Sequence, residues 1–191
     1  MSAVMALPSD QLAVAGEIRR APGLDELSLR FVIASRTARQ PVLDFGCSDG
    51  LASSAALARG AHVCAIDPDE AAIRQLLARV PSQHHRRLRA RVESLLHADF
   101  AENSFGAIHA ARVLQGFDVD AVENTLRNFF RWLHPGGRLY VSVPVPALQS
   151  AENFFCREIL AAGFALEEAR RYSLPWNPHQ QCCSAIARSA L

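Results

Sequence analysis

Nowhere in the 191 residues does an apolar run approach the roughly 20 residues that a bilayer-spanning helix needs, so no membrane partner is expected. The opening stretch MSAVMALPSDQLAVAGEIRR has no basic segment ahead of an apolar one, which argues against a secretory leader. The five cysteines (Cys47, Cys64, Cys156, Cys182, Cys183) form neither a C-x-x-C pair nor a His-spaced zinc pattern. An odd count without a framework speaks against a disulfide scaffold, and no metal is expected. Net charge is only +1, so no bulk field draws the chain to nucleic acid or a lipid surface. Internal repeats and low-complexity tracts are absent. A cytoplasmic, soluble protein is the expectation that remains, and a chain that is 50% apolar can bury one substantial core.

What is present is an alternation of two periodicities. Residues 1–24 are weakly patterned, and 25–38 carry helical spacing at Leu27, Phe31, Ala34 and Ala38. From Pro41 onward, PVLDFG and HVCAID read as buried strands separated by the small-residue helix LASSAALARG. DEAAIRQLLARV is an amphipathic helix ended by Pro81. SQHHRRLRAR is polar and basic, and VESLLHADF reads as a strand ending near His97. FGAIHAA is a further strand, DAVENTLRNFFRWL a helix, HPGGR a turn and RLYVSVP a strand. SAENFFCREILAA reads as a helix with Gly163 at its C′ position, and FALEEARRYS and QQCCSAIAR as closing strands linked by LPWNPH. Strands alternating with helices of about ten to fifteen residues predict an α/β fold, a three-layer sandwich around a mostly parallel sheet. The boundaries read as an N-terminal helical segment at 1–40, a candidate lid, followed by one domain at 41–191.

The stretch VLDFGCSDG is a strand running into a tight turn that opens a helix. Ligands of open α/β sheets bind beyond the carboxyl ends of the strands, and a helix beginning there aims free N–H groups at them. Gly46 and Gly50 do not have the spacing of a dinucleotide loop. Asp67 ends the second strand, 21 positions after Gly46. A carboxylate there either accepts from both hydroxyls of a ribose or begins the next turn, with Asp69 as helix N-cap.

Taken together, D-x-G-x-x-x-G at residues 44–50, Asp67, Ala98-Asp99-Phe100, NSFGAIHAARVLQGF and RWLHPGGRLYVSVP resemble a class I S-adenosylmethionine-dependent methyltransferase. The likeness runs from about residue 40 to 145, and AGF before the closing strands extends it to 188. It implies a Rossmann-like, seven-stranded sheet of order 3-2-1-4-5-7-6 with strand 7 antiparallel. The cofactor implied is S-adenosyl-L-methionine. Asp44 would face its ammonium, and the turn with Gly46, Cys47 and Gly50 would pack against its methionine part. Asp67, followed by Pro68, would hold the ribose, while Asp99 would accept from the adenine amino group beside Phe100. Two positions depart from the family: Ser48 where glycine is common, and Gly106 where an aspartate is frequent.

Methyl transfer from a sulfonium needs alignment and exclusion of water more than protein chemistry. Candidates for a base or acceptor contact follow strand four: His109, Arg112 and Gln115. His109 sits within the strand, where a packed core histidine is the plainer reading. Arg112 contacts cofactor or acceptor, or caps the sheet. Gln115 stands where many relatives carry histidine. The expected acceptor is a small-molecule O or N nucleophile. The alternative is a degenerate methyltransferase-fold binding or regulatory module acting with a protein partner. The basic run HHRRLRAR, residues 84–91, reads as a solvated face or a docking patch for an acidic partner, and it lacks the aromatics of a single-strand nucleic-acid platform. LPWNPH, with Trp176 and His179, reads as structure or contact surface.

Overall fold

The computed structural model describes residues 23–145 and 150–190. Seven strands form one sheet: β1 (Val42–Phe45), β2 (Val63–Asp67), β3 (Leu88–Val92), β4 (Phe105–Ala111), β5 (Leu133–Pro144), β6 (Ala165–Leu174) and β7 (Asn177–Arg188). Their order is β3-β2-β1-β4-β5-β7-β6. The first five pair in parallel, and β7 runs antiparallel to both β5 and β6. The expected topology is the one observed. Residues 1–22 of the proposed N-terminal segment lie outside the described residues.

The helices are α1 (Glu26–Ser35), α2 (Leu51–Ala58), α3 (Glu70–Arg79), α4 (Val119–Trp132) and α5 (Ser150–Ala161). Asp25, Asp69 and Asp118 cap α1, α3 and α4 by accepting from backbone N–H groups within the first turn. One face of the sheet is covered by α4 and α5, where Leu43, Phe45, Ile66 and Ile108 meet Leu126, Phe129 and Trp132. On the other face Val42, Val63 and Ala65 meet Phe31 and Val32 of α1, Ala56 and Leu57 of α2, and Leu76 of α3. Phe31, Val32, Leu57, Leu76, Leu126 and Phe129 are all 0% exposed, and burying each such side chain is worth about 1.5–3 kcal/mol.

Three local expectations are corrected. VESLLHADF is not a strand: the third strand is Leu88–Val92, inside the basic run, and residues from Glu93 onward form a loop. That strand alternates half-buried Leu88 and Ala90 with exposed Arg89 and Arg91, so its apolar signal is too weak to read beside Leu95 and Leu96. HPGGR lies within β5, although the register with β4 breaks there and Gly136 has φ +79°. The link between β6 and β7 is shorter than LPWNPH, since Leu174 already pairs with Asn177 across Pro175 and Trp176.

Candidate active site at the carboxyl ends of the strands

After β1 the chain turns back on itself at Gly46. Its N–H and that of Cys47 both donate to the carbonyl of Ile66 in β2, at 2.9 and 3.0 Å. Gly46 and Gly50 have φ +75° and +76°, and neither has room for a side chain. A Cβ on Gly46 would lie 2.5 Å from Val113, and one on Gly50 would collide with Leu76. The glycines therefore let the loop after β4 and helix α3 close against the turn. Helix α2 then begins with no side-chain cap. Its first i→i−4 bond is Ser54 N–H to the Gly50 carbonyl, at 2.8 Å, so the N–H groups of Leu51, Ala52 and Ser53 precede the helical ladder.

Asp67 fastens the turn. Its Oδ2 accepts from the Ser48 N–H and its Oδ1 from the Asp69 N–H, each at 2.9 Å. Ser48 takes the left-handed region, φ +50°, to present that N–H. Asp67 thus anchors the loop while Asp69 caps α3, and Pro68 is exposed between them. The Cys47 thiol is buried, and burial, aided by Asp44 and Asp67, pushes its pKa up, so it is not a nucleophile.

Asp44 lies beneath the turn, 1% exposed, with both oxygens engaged. Ser53 Oγ donates to Oδ2 at 2.5 Å, and His109 Nδ1 is 2.8 Å from Oδ1. A carboxylate only accepts, so the neutral ring carries its proton on Nδ1 and its Nε2 accepts from Ser28 Oγ at 3.0 Å. Phe31 stacks on the imidazole at 4.8 Å between ring centroids. His109 is therefore a sealed core residue, 5% exposed. Ser28 and Ser53 are partners that the sequence pattern did not reveal, because a serine within a helix carries no periodic signal.

Arg112 follows β4 with φ +57°. Its guanidinium pairs with the buried Asp25 carboxylate and lies 5.3 Å from the centre of the Trp176 ring. Tyr172 Oη donates to the same carboxylate at 3.0 Å. Burial raises the Asp25 pKa, but the hydrogen bonds from Ser28 and the charge of Arg112 outweigh it and hold the carboxyl below its usual range. The Tyr172 hydroxyl is pushed up by burial and by Asp25. Gln115 is exposed, and its amide donates to the Arg112 carbonyl.

The structure does not bring Asp99 and Phe100 to this end of the sheet. Asp99 pairs with Arg131 of α4 at 2.5 Å and lines a groove with Gln40, Pro41 and His62, which precede β1 and β2. Phe100 packs edge-on against Phe105 and Trp132. Both lie at the amino ends of the strands, so neither is placed for the adenine contacts expected of them. After β3 the Glu93 N–H donates to the Asp67 carbonyl at 3.0 Å, and Leu95 comes within 3.5 Å of the Cβ position of Gly46. Among the described residues no cluster of His, Cys, Asp and Glu could hold a metal ion, and no helix is long and apolar enough to cross a membrane.

A family profile described as "Methyltransferase domain" matches residues 42–137. No curated protein matches the chain. Among solved structures, the 1,6-didemethyltoxoflavin-N1-methyltransferase of Burkholderia thailandensis, with bound 1,6-didemethyltoxoflavin and S-adenosylhomocysteine, superposes with a TM-score of 0.72 at 19% identity, over 100% of this chain and 94% of its own. An S-adenosylmethionine-dependent methyltransferase of Mesorhizobium loti gives 0.67 at 15% identity, over 85% and 97%. The [4+2]-cyclase SpnF gives 0.69 at 17% identity, over 86% and 82%.

Proposed function

Because the chain belongs to the class I S-adenosylmethionine-dependent methyltransferases, we propose that the turn after β1 and the end of β2 bind S-adenosyl-L-methionine and serve in-line methyl transfer to an oxygen or nitrogen of a small molecule. The observation that carries this reading is the Asp67 carboxylate, clasped by the Ser48 and Asp69 N–H groups at the end of β2. Each oxygen keeps a lone pair for a ribose hydroxyl. Gly46, Cys47 and Gly50 supply the backbone against which the methionine part rests, and the leading N–H groups of α2 face its carboxylate. With both oxygens engaged, Asp44 faces the ammonium as a fixed negative charge from below the turn. Leu95 and Val113, packed beside Gly46, wall the adenine side in place of the acid expected there.

When bound, the cofactor supplies a methyl group already activated on sulfur, and the chain's task is to position the acceptor and exclude water. Acceptor entry falls to the rim formed by Arg112, Gln115 and Trp176. Arg112 holds a left-handed backbone at a strand end, a strained conformation that recurs at functional sites. Among the described residues of this rim none is a ready base: His109 is sealed, and the Tyr172 hydroxyl is pushed up. The acceptor is accordingly one whose nucleophile sheds its proton to solvent. Cytoplasmic location belongs to the same reading, supported by an odd number of cysteines in no disulfide-scaffold pattern.

Titration calorimetry tests the site. S-adenosylmethionine and S-adenosylhomocysteine are expected to bind and NAD is not. Asp67→Asn, which cannot accept at both oxygens, is expected to weaken S-adenosylhomocysteine at least tenfold. Failure of the folded wild-type protein to bind either would overturn the reading.

A further inference from the structure

Four of the five connections between parallel strands in this sheet contain a helix: α2 joins β1 to β2, α3 joins β2 to β3, α4 joins β4 to β5, and α5 joins β5 to β6. The fifth, from β3 to β4, is a loop over residues 93–104. The helices packed on β2 and β3, α2 and α3, both lie on the opposite face. Among the described residues, one end of the sandwich is therefore left without its third layer. The result is a groove of about 860 Å³ at the amino ends of the strands, floored by Val63 and Cys64. This volume falls in the range of small-molecule sites.

Its two sides differ in chemistry. Arg86, Arg87, Arg89 and Arg91 form one side, and Pro41, Phe100 and Phe105 contribute apolar surface to the other. Arg89 and Arg91 stand in register with Cys64 and Ile66, so they project on the uncovered face. Arg91 reaches Glu93 at 2.8 Å and lies 4.8 Å from the Phe100 ring centre. Arg87 bonds His84 Nδ1 at 2.7 Å and the Ala61 carbonyl at 3.3 Å. The side chains of Arg86 and Arg89 make no hydrogen bond or ion pair with another described residue, and both residues are exposed. The acid lining the groove, Asp99, is already taken by Arg131. Protection of a sheet edge would account for charge on the strand itself, at Arg89 and Arg91. It does not account for Arg86 and Arg87, which come from the preceding 3-10 turn and converge on the same space. Nor does overall charge account for it, since the chain is nearly neutral at +1. All 20 of its basic residues are arginines, whose planar fork suits tetrahedral oxyanions, with two parallel N–H groups donating to one phosphate.

We propose that this groove is a second binding site, distinct from the methyl-transfer site, for an organic phosphate: its phosphate held by Arg86 and Arg89, its apolar body laid on Cys64 and Phe100. The proposal does not depend on the cofactor reading, because the two sites lie at opposite ends of the strands.

Binding of octyl phosphate and inorganic phosphate to the full chain would be measured by calorimetry at fixed ionic strength, with S-adenosylhomocysteine affinity read on the same samples. Octyl phosphate is expected to bind at one site at least tenfold more tightly than inorganic phosphate. The double variant R86A/R89A is expected to lose at least tenfold. Ala101→Trp, an exposed groove position that leaves the arginines intact, is expected to block binding sterically and covers the case in which the double variant misfolds. S-adenosylhomocysteine affinity is expected to stay the same in both. Equal affinity for the two phosphates, or no response in the folded variants, would overturn the proposal. So would tighter, strongly salt-dependent binding of a twelve-residue oligouridylate, which would make the face a nucleic-acid surface instead.

Discussion

Ser48 shows how the turn after β1 is held. Its φ of +50° is unfavourable for a residue with a Cβ, yet that angle sends its N–H to Asp67. Ser48→Gly would keep the bond and relieve the strain, against a greater loss of chain entropy on folding. A net stabilisation of about 0.5–1 kcal/mol is expected, read as a higher denaturant midpoint with an unchanged slope. A destabilised variant would mean that the serine side chain contributes more than its geometry indicates. Gly106 invites no such change in reverse, since its Cβ position lies 3.2 Å from that of Ala38, where the chain after α1 settles on β4. Asp67 was readable in the sequence because strand, loop and spacing fix it at the carboxyl end. Asp99 was not, because nothing in ADF tells which end of the sheet a long loop has reached.

Elements that bury an apolar stripe announced themselves: α4 through Val122, Leu126 and Phe129, and β4 through Phe105, Ala107 and Ile108. Strand β3 did not, since an edge strand half clothed in arginine lacks that signature. Nor did the polar bolt on α1, whose N-cap Asp25 gathers the Ser28 N–H, the Tyr172 hydroxyl and the Arg112 guanidinium from three separate elements. Such a bolt has a pH signature. The folded pKa of Asp25 lies below its unfolded value, so its contribution is fully present above the unfolded pKa of about 3.9 and fades as pH falls through the folded one. Asp25→Asn is expected to cost about 1–3 kcal/mol at pH 7. The melting temperatures of variant and wild type should then stay apart down to about pH 4 and converge as the pH falls from there through the folded pKa. A gap that stays constant over that range would remove Asp25 from the acid response.

Across the whole molecule, the sheet order followed from a resemblance, whereas the bare groove beside β3 depended on a loop standing where a crossover helix could have been. Neither hydropathy nor spacing distinguishes those two outcomes. The order also places β7 between β5 and β6, and among the described residues β6 has no other strand partner. A chain stopped after Trp176 is expected to lose the cooperative thermal transition and to aggregate during gel filtration. A soluble, folded truncation would contradict that.

This threading has a consequence for synthesis. A nascent chain can assemble β1 to β5 as the residues emerge, but it must wait for residues 177–188 before the sheet can be closed. Until then one side of β5 is an open template and β6 is unpaired. The half-made sheet is thus at its stickiest just before residues 177–188 emerge, and the yield of active molecules is set by how quickly β7 inserts or by how well a chaperone shields the gap until it does.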